Sequence, residues 1–205
     1  MMDNASRSER SRKAALQAAL TIIARDGPAR LTLDAIARES GMSKGGLTHQ
    51  FPTKEAVLKA LLEHQIEYFG DFTARYLAEA GAASAQPQLA AQLATLREAV
   101  TQPGSVALAI LGALTQDPSL LSQTRDASGK TVDAIKAEAA DPQLALLRWA
   151  AAQGLTLMSL FGLNPLTDQE REQLFDRLLD DRRWSALAES KPRATEPART
   201  RKAKS

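Results

Sequence analysis

LTLDAIARESGMSKGGLTHQFPTKEAVL, residues 31–58, decides how the rest of the chain is read. Thr32 is a good helix N-cap, and Leu33, Ile36 and Ala37 behind it repeat at helical spacing. Gly41 tolerates a left-handed backbone and ends that short helix in a tight turn. Ser43 can cap a second short helix whose evident core anchors are Leu47 and Phe51 alone. Two short helices joined by a glycine corner form a helix-turn-helix, in which the second helix enters a DNA major groove. Helical proteins contain many such corners that bind no DNA, so the second helix has to carry the functional reading. Lys44, Gly45, Gly46, Thr48, His49 and Gln50 give it an outer face of donors and bare backbone. Each glycine costs the helix roughly 1 kcal/mol relative to alanine, which is easier to understand if something approaches closely.

Composition points the same way. The 205 residues contain no cysteine, which excludes disulfides, thiolate nucleophiles and zinc-thiolate sites. Alanine and leucine dominate and aromatics make up only 4%, which favours helix over sheet. Neither a signal peptide nor an apolar run of membrane-spanning length is present, so a cytoplasmic protein with no membrane partner is expected. The net charge of +2 conceals an asymmetry: +3 over residues 1–55, −6 over 56–190 and +5 over 191–205. A basic head on an acidic body suits a DNA-binding domain joined to a dimerising or partner-binding one.

Residues 14–62 resemble the DNA-binding domain of the tetracycline-repressor (TetR) family of bacterial transcription regulators. The features that carry the resemblance are a first helix ending at Gly27, the segment LTLDAIARESGMSKGGL, the following Phe51, and KEAVLKAL opening a long helix. Family members commonly carry aromatic residues where this chain has Thr48 and Gln50, so operator preference does not transfer with the fold. The resemblance implies an all-α chain: an N-terminal three-helix helix-turn-helix domain and a C-terminal helical domain for ligand binding and dimerisation. The expected divisions are a DNA-binding domain over 1–55, a ligand-binding and dimerisation domain over 56–189, and a disordered basic tail over 190–205.

In chain order, residues 1–8 are polar and expected to be disordered. Arg7, Arg10, Arg12 and Lys13 lead into a helix with the apolar stripe Leu16, Ala19, Leu20 and Ile23. These basic residues either sit beside phosphates or simply solvate the terminus. A long amphipathic helix follows from Lys54 to about Glu79, with Val57, Leu58, Leu61, Leu62, Ile66, Phe69 and Phe72 on one face. Further helices are expected over 88–101, 105–116, 119–139, 143–163 and 168–181, separated at prolines 103, 118, 142 and 165. The apolar run 105–114 reads as a helix buried within the body.

The residues expected at DNA are Thr32, Ser43, Lys44, Gly45, Gly46, Thr48, His49 and Lys54. Lys44 and Lys54 are assigned to phosphates, because an ammonium on a flexible stem makes a point-charge contact. The resemblance implies that the last two helices pair with their symmetry mates as a four-helix bundle, a seam that would include Ala151, Gly154, Leu155, Phe175, Leu178 and Leu179. The same apolar residues also suit two ordinary core helices of a monomer. An unidentified small-molecule effector would sit between the long fourth helix and the later ones, against Phe69, Phe72, Leu108, Leu111, Trp149 and Met158, although each also suits plain core packing.

No enzyme is expected. His49 and His64 are the only imidazoles, no metal-ligand spacing is present, and no nucleophile has an evident base, so neither cofactor nor metal is called for. The expected function is that of a repressor that binds a palindromic DNA operator as a homodimer and is released by a small molecule. An activator of the same fold, or a helical adaptor that binds protein partners without DNA, are the alternatives.

Overall fold

The computed structural model describes residues 4–80, 83–102, 104, 106, 107, 109, 111 and 118–188. Among them are nine α-helices with defined bounds and one 3-10 turn, with no strand; residues 104, 106, 107, 109 and 111 are helical as well. The helices are α1 (Asn4–Asp26), α2 (Leu33–Ser40), α3 (Lys44–Gln50), α4 (Lys54–Glu79) and α5 (Pro87–Val100). Then come α6 (Pro118–Glu138), α7 (Pro142–Leu160), α8 (Asp168–Leu179) and α9 (Asp181–Ala188).

Two apolar clusters organise the chain. The head cluster gathers Leu16, Ile22 and Ile23 of α1 with Leu31, Ile36, Leu47 and Phe51 and with Val57, Leu58 and Leu61 of α4. The body cluster is built around α5, which packs on α4, α6, α7 and α8. Leu89 and Leu93 of α5 meet Ile135, Ala145, Ala152, Phe175 and Leu178 there. The head helices start where their sequence says they should: Thr32, Ser43 and Thr53 each accept a hydrogen bond from the backbone N–H three residues on, at 3.1 Å.

Four expectations change. Residues 4–8 are helical and begin α1, while residues 1–3 lie outside the described residues. The apolar segment 105–114 does not simply fill the body: Val106 and Ala109 are buried in the head cluster and Leu111 is exposed. The apolar face of α4 leaves the core at Ile66, which is 54% exposed. Finally, α9 is an extra helix that the charged sequence DDRRW conceals. The expected tail, 190–205, lies outside the described residues.

Arg148 explains why α9 folds back. Its guanidinium is buried and donates to the Leu178 carbonyl through Nε and Nη2, to Gln86 Oε1, and to Asp181 Oδ1 at 2.8 Å. Asp181 also accepts from the Ser84 hydroxyl and the Ala85 N–H. One ion pair therefore ties the start of α9 to α7 and to the turn before α5.

Candidate nucleic-acid interface

The α2–α3 corner is built by local capping. Gly41 has φ 70°, and its N–H reaches back to the Ala37 and Arg38 carbonyls, so the chain turns without a side chain in the left-handed region. Ser43 then starts α3, whose only buried residue is Leu47. Lys44, Gly45, Gly46, Thr48 and His49 are all exposed. A Cβ placed on Gly45 meets nothing within 4 Å, whereas one on Gly46 comes 3.1 Å from the capping Ser43 Oγ. The two glycines are thus unequal: one borders open space and the other borders the cap.

Several polar groups of this surface already have partners within the protein. Thr48 donates its hydroxyl to the Lys44 carbonyl at 2.8 Å. Lys44 Nζ pairs with Asp34 of α2. Lys54 Nζ donates to the Pro28 carbonyl at 3.4 Å, which closes the 3-10 turn onto the start of α4. Thr32 and Ser43 serve as caps. All eight residues expected at DNA lie along α3 or at the starts of α2 and α4 beside it. Gln50 departs from the expected outer face: it is half-buried and donates its amide to Ser8 Oγ.

Family comparison meets this geometry at both ends of the chain. Residues 15–61 match the model of bacterial regulatory proteins of the tetR family. Residues 70–181 match that of the tetracyclin repressor-like C-terminal domain. The chain belongs to the TetR family.

Solved structures share its fold. A putative transcriptional regulator from Saccharomonospora viridis, solved in complex with choline, superposes with TM-score 0.65 at 22% identity, covering 84% of this chain and 95% of its own. A putative TetR-family regulator from Rhodococcus sp. gives 0.60 at 20% identity, covering 87% and 99%. The multidrug-binding protein EbrR complexed with ethidium gives 0.54 at 20% identity, covering 82% and 98%. No match is found among curated proteins. No described helix is long and apolar enough to cross a membrane.

The body distributes the other expected residues unevenly. Phe175 and Leu178 are 0% and 6% exposed, held in the body cluster of this chain. Helical spacing marks an apolar face without saying which neighbour covers it, and here α5 and α7 do. Leu155 and Leu179 are half-buried against the same cluster, whereas Ala151 and Gly154 are exposed. With Leu147, Leu157 and Met158, these last two form one exposed apolar stripe along α7.

The residues expected around an effector are scattered. Phe69 and Phe72 are half-buried on α4, and Trp149 packs on the body cluster. Met158 and Leu111 are 41% and 42% exposed, and Leu108 lies outside the described residues. A cleft of about 250 Å³ under α9, bordered by Gln86, Glu138, Arg148, Asp181 and Trp184, includes none of the six. Sequence reading missed Arg148, because an arginine on an apolar helix looks like a surface residue. It missed Ser8 because serine carries no periodic signal.

Proposed function

We propose that this chain is a transcriptional repressor that binds a palindromic DNA operator as a homodimer and is released by a small molecule. The observation that carries this reading is α3, a seven-residue helix whose only buried residue is Leu47 and whose Lys44, Gly45, Gly46, Thr48 and His49 are exposed. A helix with so little to bury is explained by a groove that receives it. In this reading Gly45 and Gly46 allow close approach and His49 meets base edges. Thr32, Ser43, Thr48, Lys44 and Lys54 face the sugar-phosphate wall. Residues 1–55 form the reading domain, 56–189 the ligand and dimer domain, and 190–205 a basic tail.

Two-fold symmetry of an operator requires two-fold symmetry of its reader. The α7 stripe supports a dimer, since Leu147, Ala151, Gly154 and Met158 recur at helical spacing on an exposed face. A Cβ on Gly154 meets nothing in the protomer, so a second helix packing there gives that glycine a reason. The choline and ethidium complexes of similar folds support a small-molecule effector, bound in the body against Phe69, Phe72 and Trp149. The effector would shift the population of spacings between the two reading heads through α4, which is shared by head and body.

Gel shift with duplex DNA flanking the chain's own gene tests the reading. Tight binding to one fragment, competed poorly by unrelated duplex, is the expected result. Equal and weak binding to every fragment would point to the adaptor alternative.

A further inference from the structure

The first two turns of α1 ought not to be helical on their own account. Residues 4–11, NASRSERS, offer one alanine and no larger apolar side chain, and a polar helix end without anchors frays. Two side chains of the reading element hold it instead. Gln50 Nε2 donates to Ser8 Oγ at 2.9 Å, across 42 residues of sequence. One turn on, the Arg12 guanidinium lies 4.7 Å over the ring of Phe51, which is itself 1% exposed, and reaches Glu63 Oε2 at 3.6 Å. By helical spacing Ser8 and Arg12 lie on the same side of α1 as the buried Ala15, Leu16 and Ala19, although Ser8 is exposed and Arg12 half-buried, so that side continues as a polar one after apolar residues run out.

We propose that Gln50 is a positioning residue: through Ser8 it holds the N-terminal arm of α1 against the C-terminal end of α3 and thereby fixes the arm's charges relative to the reading helix. This rests on the DNA-binding reading above. Arg7 and Arg10 are exposed on that arm, flanking Ser8 in sequence. An arm fixed there presents both charges to the duplex at a set distance from the groove. A frayed arm carries the same charges without a fixed place and must be ordered at the moment of binding. Gln50 thus acts on DNA through Ser8 and not by its own contact.

The test is a double-mutant cycle in the full chain, with Gln50→Ala made in the wild type and in a Ser8→Ala background. That background absorbs the higher helix propensity of alanine, which would otherwise mask fraying. Amide hydrogen exchange over residues 5–10, measured without DNA, should quicken about two- to tenfold on Gln50→Ala in the wild type, the range set by one side-chain hydrogen bond. It should not change in the Ser8→Ala background. Gln50→Glu removes the Nε2 donor but offers a carboxylate to which the Ser8 hydroxyl can donate instead, and should retain near wild-type exchange. Equal exchange in wild type and Gln50→Ala overturns the tether. With duplex, Gln50→Ala should lose affinity by a similar factor in the wild type and none in the Ser8→Ala background. Equal losses in both backgrounds would make Gln50 a direct contact and overturn the positioning role. If no variant bound any duplex, the DNA-binding reading would fail, and the exchange cycle would still decide the tether.

Discussion

Lys44 Nζ lies 2.9 Å from Asp34 Oδ1, a bridge across the Gly41 corner between the first turns of α2 and α3. Both side chains are largely exposed, at 73% and 66%, so the pair contributes at most about 1 kcal/mol and a phosphate can displace the carboxylate cheaply. In the proposed complex Asp34 would compete with DNA for Lys44. Lys44→Ala should weaken binding to all duplexes alike and flatten the salt dependence by about one unit. Asp34→Asn should do the reverse, raising nonspecific affinity while costing α2 a few tenths of a kcal/mol of first-turn dipole interaction. Salt-dependent titrations of both variants check the signs. Identical slopes in wild type and Lys44→Ala would remove Lys44 from the interface.

Gly104 touches the end of α7 so closely that a Cβ there would collide with the Leu160 carbonyl. Two residues later, Val106 is buried in the head cluster. Gly104→Ala should destabilise by about 1–3 kcal/mol as an overpacked contact, despite alanine's better helix propensity. Thermal unfolding of the variant reads this directly, and an unchanged midpoint would mean that the α7 end moves aside freely.

The Arg148–Asp181 pair should be costly to break from the buried side. Arg148→Ala leaves the Leu178 carbonyl without its side-chain donor and the Asp181 carboxylate without its counter-charge, and should cost about 3 kcal/mol, near the low end for a buried pair because Asp181 retains some exposure and its Ser84 and Ala85 donors. Burial raises the Asp181 pKa, but the Ser84 hydroxyl, Arg148 and the Ala85 N–H together outweigh it and hold the carboxyl below its ordinary 3.8. A carboxyl held low stabilises the fold above its unfolded value and loses that contribution as pH falls through the lowered one. Docking of α9 should therefore be insensitive to pH near neutrality and weaken only in acid below about pH 4. Trp184 lies on α9 over Arg148, so its fluorescence reports the docking. A transition near neutral pH would contradict the assignment.

Leu157 and Leu178 separate dimer from core. Leu157 is 49% exposed in the protomer and Leu178 6%. If the copies meet along α7 as proposed, Leu157→Glu should leave a folded protein that sediments as a monomer, because its charge would harm only the seam between them. Leu178→Glu should unfold the body, since an unpaired carboxylate there has no water to reach. A folded dimer of Leu157→Glu would show that the copies meet elsewhere.

How much of this could be read from the sequence follows from how local each signal is. The head was legible because its cues lie within a few residues of what they cause: Thr32, Ser43 and Thr53 cap the helices that follow, and Gly41 turns the corner. Leu47 as the anchor of α3 follows from the same short window. Phe175 and Leu178 were not legible as core, because periodicity on α8 cannot tell an intramolecular neighbour from a second copy. Arg148 and α9 depend on partners 30 or more residues away, as does the Gln50–Ser8 bond, and no spacing rule reaches that far.

The central claim, that α3 reads DNA at close range, is tested most directly at Gly45. A Cβ there meets nothing in the free protein, so Gly45→Ala should be as stable as wild type or better by up to about 1 kcal/mol. Gly46 is the poorer site for this test, because its Cβ would press on the capping Ser43 hydroxyl. The measurement pairs thermal unfolding without DNA with fluorescence anisotropy against the fragment that binds wild type most tightly. The account predicts full stability with affinity reduced about tenfold or more, as the methyl lifts His49 away from base edges where each good contact discriminates by about 1–3 kcal/mol. Full affinity in a stable Gly45→Ala protein would contradict it.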